Sequence, residues 1–411
     1  MKTGFRQYYW ARTLDALLKN RKPAMSDISF NSKKTTPARK MRAAGLGLEF
    51  PGEPGQHNSI TDVAGVSVGY TTLIEGQGAL QVGKGPVRTG VTAILPRPKS
   101  EICKPVFAGC FSFNGNGELT SSHYLEEVGL LTLPITITNT HACGLTRDAT
   151  LRWASQIYPV EFLDSFGLPV AAETYDGFLN DINGFHVRNE HVYEAIETAK
   201  SGPIEEGSVG GGTGMKSFGF KAGSGTASRR VGYAGRDYTV GVFVQSNFGK
   251  RDDLTILGHP IGKGLSEPKM VEQTASTELS SIIGIVATDA PLLPHQLKRL
   301  ARRAALGMGK TGGIGAHGSG DIFLAFSTAN GDVLAETKPA VQSVAFIPDA
   351  DLDFLFESVI QATEEAIINS MVANEDMEGR DGNFVPALPH SVLIDMVKIN
   401  PKNKQQENED K

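Results

Sequence analysis

The sequence predicts an α/β, or α+β, layered fold, and three observations lead there. Short runs along the 411 residues either alternate apolar and polar side chains or are apolar throughout, as strands covered on both faces are. Other segments repeat apolar residues at three and four, the helical spacing. The two kinds are mixed along the whole chain and no internal repeat interrupts them, which argues for sheets layered with helices.

In chain order, the strand candidates are "SITDVAGVSVGYTTLI", "RTGVTAILPR", "PVFAGCFSFNG", "LTLPITITNT", "YTVGVFVQSN", "SIIGIVAT", "DIFLAFST" and "QSVAFIP". The helix candidates are "LTRDATLRWASQIY", "RNEHVYEAIETAK", "PHQLKRLARRAALGM", "DLDFLFESVIQATEEAIINSM" and "HSVLIDMVK", the third burying Leu297, Leu300, Ala301, Ala304 and Ala305 on one face. Residues 1–40 are basic and read as an extension outside the compact fold, and 400–411 as a solvated tail. Residues 250–280 are polar, contain Gly and Pro, and separate two apolar strands, so a loop of that length is expected to be functional or disordered.

Composition narrows the function. A formal net charge of −5, from 40 basic and 45 acidic residues, gives no reason to expect nucleic acid as a partner. No apolar run reaches the roughly 18 residues of a membrane span. Arg12 and Asp15 break the apolar core that a secretion signal needs, so a cytoplasmic rather than periplasmic location is expected. Cys103, Cys110 and Cys143 are odd in number and form no CxxC pair, which supports neither a disulfide framework nor a zinc site. The 47 glycines cluster in short runs, where tight turns are expected.

Several motifs fail on inspection. Gly309-Lys310-Thr311 suggests a phosphate loop, but the required first Gly is Ala304, and this loop follows its helix instead of preceding it. It reads as a helix end capped by Gly307 or Gly309. "GSVGGGTGM" lacks the dinucleotide register and reads as a tight loop. There is no HExxH, and His295 and His317 read as surface or capping residues. Ser319 follows His317-Gly318, which rules out the GxSxG elbow. No metal or cofactor is expected.

What remains is "TELSSIIGIVATDAP", where Ser280 and Ser281 head an apolar strand after a polar stretch. Serine is a common boundary residue, and that reading is sufficient for this stretch alone. Over about residues 38–398, however, nine segments in order resemble the DmpA-type aminopeptidases, the L-aminopeptidase D-Ala-esterase/amidase group that includes β-peptidyl aminopeptidases. They are "NSITDVAGVSVGYTTL", "VRTGVTAILPR", "FSFNGNGELT", "ITNTHACG", "AAETYDGFLNDINGFHV", "GSVGGGTGM", "VGVFVQSNFG", "SIIGIVATDAPLLPHQLKRLARRAALGMGKTGG" and "GSGDIFLAFST".

The resemblance implies an N-terminal nucleophile hydrolase-like αββα sandwich, of the kind shared with ornithine acetyltransferases, in which the precursor cuts itself before a serine. That serine is Ser281, giving segments 41–280 and 281–411 within one catalytic domain, with Ser280 the alternative cut point. A hydroxyl needs a base, and a freed α-amine with a pKa of about 7.7–8.0 supplies one on the same residue. By the same resemblance Ser319 and Asp321 orient the nucleophile and hold a nearby ammonium, Asn247 is an oxyanion-hole amide, and Tyr175 supports the tetrahedral intermediate. Glu173 pairs with the substrate amine and Asn114 lines the pocket. Without the resemblance, "GSGD", "SNFG" and "NGNG" read as plain turn chemistry.

The expected activity is removal of N-terminal residues from short peptides, amino-acid amides or esters through an acyl-enzyme, in a homo-oligomer, a tetramer of processed heterodimers. Acyl transfer of the ornithine acetyltransferase type and a non-catalytic scaffold are the alternatives.

Overall fold

The computed structural model describes residues 30–272, 280–335 and 341–398. The chain divides into units Met1–Asn31 and Ser32–Lys411, and the fold described belongs to the second. Its strands are β1 (Ser67–Glu75), β2 (Val87–Leu95), β3 (Val106–Ser112), β4 (Leu130–Leu131), β5 (Ile135–Asn139), β6 (Ala171–Thr174), β7 (Lys216–Ser217), β8 (Phe220–Lys221), β9 (Ser224–Tyr233), β10 (Arg236–Asn247), β11 (Ser280–Thr288), β12 (Ser319–Ser327), β13 (Met377–Glu378) and β14 (Phe384–Val385). The longer helices are α1 (Ser122–Val128), α2 (Cys143–Ile157), α3 (Asn189–Glu197), α4 (Pro294–Lys310), α5 (Asp353–Val372) and α6 (His390–Lys398).

One sheet runs β4-β3-β12-β11-β10-β9 and a second runs β1-β2-β5-β6, with β7-β8 and β13-β14 as separate pairs. Helices α4 and α5 cover the outer face of the first sheet, and α2 and α3 that of the second. The layers are therefore α, β, β, α. Strand β11 shows why its sequence is apolar throughout. Ile282 and Val286 face the helices, while Ile283, Ile285 and Ala287 face the other sheet, so alternation places every side chain in one core or the other.

The sandwich is closed in places by small residues. An added Cβ at Gly225 of β9 would lie 2.0 Å from the Ala366 carbonyl of α5, so the strand and helix backbones approach directly. Helix α4 continues through Lys310 to a cap at Thr311, which moves the cap from Gly307 or Gly309. Gly307 instead lies inside the helix against α5, where an added Cβ would meet Thr363 Cβ at 2.6 Å.

Other expectations need correction. "QSVAFIP" is not a strand: Phe346 is exposed and Ile347 donates one backbone bond to Pro291. The first strand starts at Ser67, because Ile60–Asp62 is a 3-10 turn capped by Ser59. Residues 250–272 are not a loose linker, since Leu254, Ile256, Ile261 and Leu265 are buried and Val271 bridges Phe384. Residues 273–279 lie outside the described residues, as do 1–29 of the basic extension. The folded unit begins at Ser32 rather than after residue 40: Thr36 is buried, and Arg42 forms a buried ion pair with Glu206 at 2.6 Å.

Candidate active site

Ser280 and Ser281 open β11 between antiparallel β10 and parallel β12. The register sets Asn247 on one side of Ser281 and Gly320 on the other, and Ser319 beside Ser280. By strand alternation the Ser281 side chain shares the inter-sheet face with Ile283, and Ser280 shares the opposite face with Ile282. Ser281 is 4% exposed, and its hydroxyl donates to the Ser280 carbonyl oxygen at 2.6 Å.

Ser319 Oγ lies 3.1 Å from Ser280 Oγ and donates to Asp321 Oδ1 at 2.6 Å. Asp321 Oδ2 accepts from Asn114 Nδ2 at 3.1 Å, and its backbone N–H donates to Asn114 Oδ1 at 2.7 Å. Burial pushes the Asp321 carboxyl above its usual range, and hydrogen bonds from Ser319, Asn114 and the Ile282 backbone oppose that rise. Because Ser319 and Asp321 face the Ser280 side of the strand, they flank the peptide link between the two serines more closely than they flank the Ser281 hydroxyl.

Asn247 is fixed through both ends of its amide. Nδ2 donates to the Tyr175 carbonyl at 2.9 Å and Oδ1 accepts from the Lys216 backbone at 3.1 Å. Tyr175 is half-buried, just beyond β6, with its phenol against Gly177. Glu173, 3% exposed, accepts from the Glu118 backbone at 2.9 Å and from the Thr140 hydroxyl, and burial raises its carboxyl pKa.

A cleft opens over this end of the sheet, walled by Ser280, Ser319, Asp321, Asn247, Lys216 and Lys250 among others. The structure thus gathers Ser280, Ser281, Ser319, Asp321, Asn114 and Asn247, with the Tyr175 backbone holding Asn247. It does not bring Glu173 to the cleft wall. Gly117 stands between Glu173 and β12: an added Cβ there would lie 3.3 Å from Glu173 Oε1 and 3.2 Å from Gly320 Cα.

Sequence reasoning did not single out Gly117, Gly320, Thr140 or Lys216. At Gly320 an added Cβ would sit 2.4 Å from the Asn116 carbonyl, so the 113–118 loop rests directly on β12 and can deliver Asn114. Only the "GSG" spelling hinted at this close approach.

A serine at the head of a central strand, in an αββα sandwich and beside a fixed amide and a buried carboxyl, defines the N-terminal nucleophile hydrolase class of fold. Residues 58–385 match the model of peptidase family S58, and the chain belongs to that family. It is 52% identical to the β-peptidyl aminopeptidase BapA of Sphingosinicella microcystinivorans over 87% of this chain and 92% of that one. The β-peptidyl aminopeptidase BapA of Sphingosinicella xenopeptidilytica is 45% identical over 87% and 91%. Among solved structures, the L-aminopeptidase D-Ala-esterase/amidase from Ochrobactrum anthropi, described as a prototype of the serine aminopeptidases and a variant of the Ntn hydrolase fold, superposes with a TM-score of 0.80. It shares 47% identity, over 86% of this chain and 96% of that one. The protein is an aminopeptidase, a hydrolase of the DmpA-like kind.

Proposed function

We propose that the chain processes itself between Ser280 and Ser281 and then removes N-terminal residues from short peptides, with β-amino residues preferred. One observation carries the processing step: the Ser281 hydroxyl is held against the carbonyl group of the bond to be cut, 2.6 Å from its oxygen. In that step Oγ adds to the Ser280 carbonyl carbon and the C–N bond breaks. Its electron pair takes up the proton that Oγ releases and leaves as the Ser281 α-amine, and an ester joins Ser280 to Ser281 Oγ. Water then hydrolyses the ester, giving a Ser280 carboxylate and restoring the hydroxyl.

Ser280 lines the cleft and Ser281 does not, so departure of the segment ending at Ser280 exposes the hydroxyl. The α-amine then accepts the Oγ proton as Oγ attacks the substrate carbonyl, and passes it to the leaving amine. Ser319 and Asp321, already flanking that backbone position, hold the ammonium form. The Asn247 Nδ2–H donates to the developing oxyanion, a neutral group already fixed in place. Tyr175 supports the same intermediate, and Glu173, which lies behind Gly117 and off the cleft wall before processing, is the anion for the substrate amine once the site has opened.

The β-preference rests on the two β-peptidyl aminopeptidase relatives. It is tested with the p-nitroanilides of β-alanine, L-alanine and D-alanine. The β-alanyl compound is expected to have the highest kcat/KM, and Ser281→Ala is expected to stay uncut and inactive. Turnover by an uncut Ser281→Ala chain would defeat the proposal.

A further inference from the structure

The oxyanion amide is held by a short hairpin, and that hairpin buries a lysine for which no step above has a use. Strands β7 and β8 pair Lys216 with Lys221 and Ser217 with Phe220. The hairpin is tied to the end of β10 at three points. The Lys216 backbone N–H donates to Asn247 Oδ1 at 3.1 Å, the Phe248 N–H donates to Ser217 Oγ at 3.2 Å, and the Phe218 N–H donates to the Phe248 carbonyl at 3.0 Å.

Lys221 is 0% exposed. Its Nζ donates to the Met215 carbonyl at 2.8 Å and to the Ala222 carbonyl at 2.6 Å, and none of the ion pairs among the described residues includes it. Burial, with the charge of Lys40 acting in the same direction, lowers its pKa well below the ordinary lysine value, yet amine and ammonium alike have the two N–H bonds that these carbonyls accept. Burying such a group is unfavourable, and an apolar side chain of similar length would fill the space without that cost. Satisfying the Met215 carbonyl does not explain the lysine, because the Ala222 backbone N–H already donates to that oxygen at 3.2 Å. Lys221 is a second donor to an oxygen that has one.

That oxygen belongs to the peptide unit whose N–H holds Asn247. A donor on a peptide carbonyl polarises the unit and strengthens its N–H as a donor in turn. The strengthened N–H draws charge toward Asn247 Oδ1, which leaves the Nδ2–H bonds more positive. Nδ2 carries two hydrogens: one is taken by the Tyr175 carbonyl at 2.9 Å, which leaves the other for the cleft that Asn247 lines. We propose that Lys221 is a positioning residue for catalysis, acting through the peptide between Met215 and Lys216 to fix and polarise the Asn247 amide toward the oxyanion. The inference rests on the oxyanion role proposed above for Asn247.

The size of the effect follows from the length of the relay. Removing an oxyanion donor outright costs about a hundred- to a thousandfold in kcat. Polarisation along a hydrogen-bonded chain strengthens each bond by about 10–30%. That fraction of the donor's effect, taken on the logarithmic scale, is roughly 2- to 8-fold in kcat. The substrate carbonyl carries little charge before attack, so KM is expected to stay within about twofold.

The test compares wild type, Lys221→Met and Asn247→Ala on β-alanyl p-nitroanilide, with rates normalised to the cleaved fraction on a denaturing gel. Two inhibitors separate the charge-developing state from simple occupancy: the aldehyde of β-alanine, and β-alanine itself. Ser281 Oγ adds to the aldehyde carbon, its proton passes to the α-amine and nothing leaves, so the former carbonyl oxygen takes the oxyanion position. Lys221→Met is expected to lower kcat by roughly 2- to 8-fold and to weaken the aldehyde by the same factor, with KM and β-alanine inhibition unchanged. Lys221→Gln, which keeps an amide N–H for the two carbonyls, is expected to retain more of kcat, and it carries the comparison if Lys221→Met does not melt cooperatively. Wild-type kcat and aldehyde inhibition in Lys221→Met beside an impaired Asn247→Ala, or equal weakening of aldehyde and β-alanine, overturns the role of Lys221 alone. An Asn247→Ala chain that is cut and turns over like wild type overturns the oxyanion reading and this inference with it.

Discussion

Asp321→Asn is the most quantitative test of how the site is held together. Asp321 is 1% exposed, and both carboxylate oxygens accept hydrogen bonds, from Ser319 Oγ at 2.6 Å and Asn114 Nδ2 at 3.1 Å. An asparagine can present its oxygen to only one of these donors, and its amide then faces the other, so at least one charge-assisted bond is lost. Such bonds contribute about 1.5–3 kcal/mol, and burial leaves little water to replace them. If that contribution stabilises the transition state through the Ser281 amine, kcat/KM falls roughly 10- to 150-fold. The assay is initial rates on a β-alanyl p-nitroanilide, normalised to the cleaved fraction on a denaturing gel. Burial raises the Asp321 carboxyl, so acid inactivation of the wild type is expected to begin at higher pH than an ordinary carboxylate would give, and the variant to lack that component. A kcat/KM within about twofold of wild type at equal processing would refute the reasoning.

Three further outcomes are expected. Burial raises the Asp176 carboxyl to about 7 against hydrogen bonds from Thr89 and Asn180. Its stabilising contribution is therefore complete below about pH 4 and lost as pH rises through 7, on the order of a few kcal/mol. Thermal melts should show the wild type losing stability over that window and Asp176→Asn losing less. Gly307→Ala forces a methyl to within 2.6 Å of Thr363 Cβ between α4 and α5 and should lower stability by about 1–3 kcal/mol, read as a lower urea midpoint with little change in slope. Ser280→Gly removes a hydroxyl that pairs with Ser319 Oγ at 3.1 Å, and should still be processed at Ser281; mass spectrometry of the purified variant reports this directly.

The central layers were legible because burial on both faces leaves an unmistakable mark. β11 and β12 are continuously apolar between their polar ends and α4 repeats apolar residues at three and four, and the elements lie within two residues of the segments read from the sequence. Strand β9 was missed because "SGTASRRVGY" fits small residues under α5 and buries Arg229 in an ion pair with Glu365 at 2.8 Å, a pattern without apolar periodicity. "QSVAFIP" misled in the opposite way, reading as a strand while lying in none of the described strands, with the Ile347 N–H donating to the Pro291 carbonyl. At the site, the polar residues stood out as types but not as neighbours. That Ser319 faces Ser280, and that Glu173 sits behind Gly117, follow from strand parity and loop crossing, which spacing along the chain does not encode.

Terminal sequencing and intact-mass measurement of the purified protein bear most directly on the idea that a broken peptide bond turns Ser281 into its own acid–base partner. Two chains in equal amount, one beginning at Ser281, with activity that rises as the cut form accumulates, are the expected result. A fully active uncut chain, or a new terminus anywhere else, would contradict it.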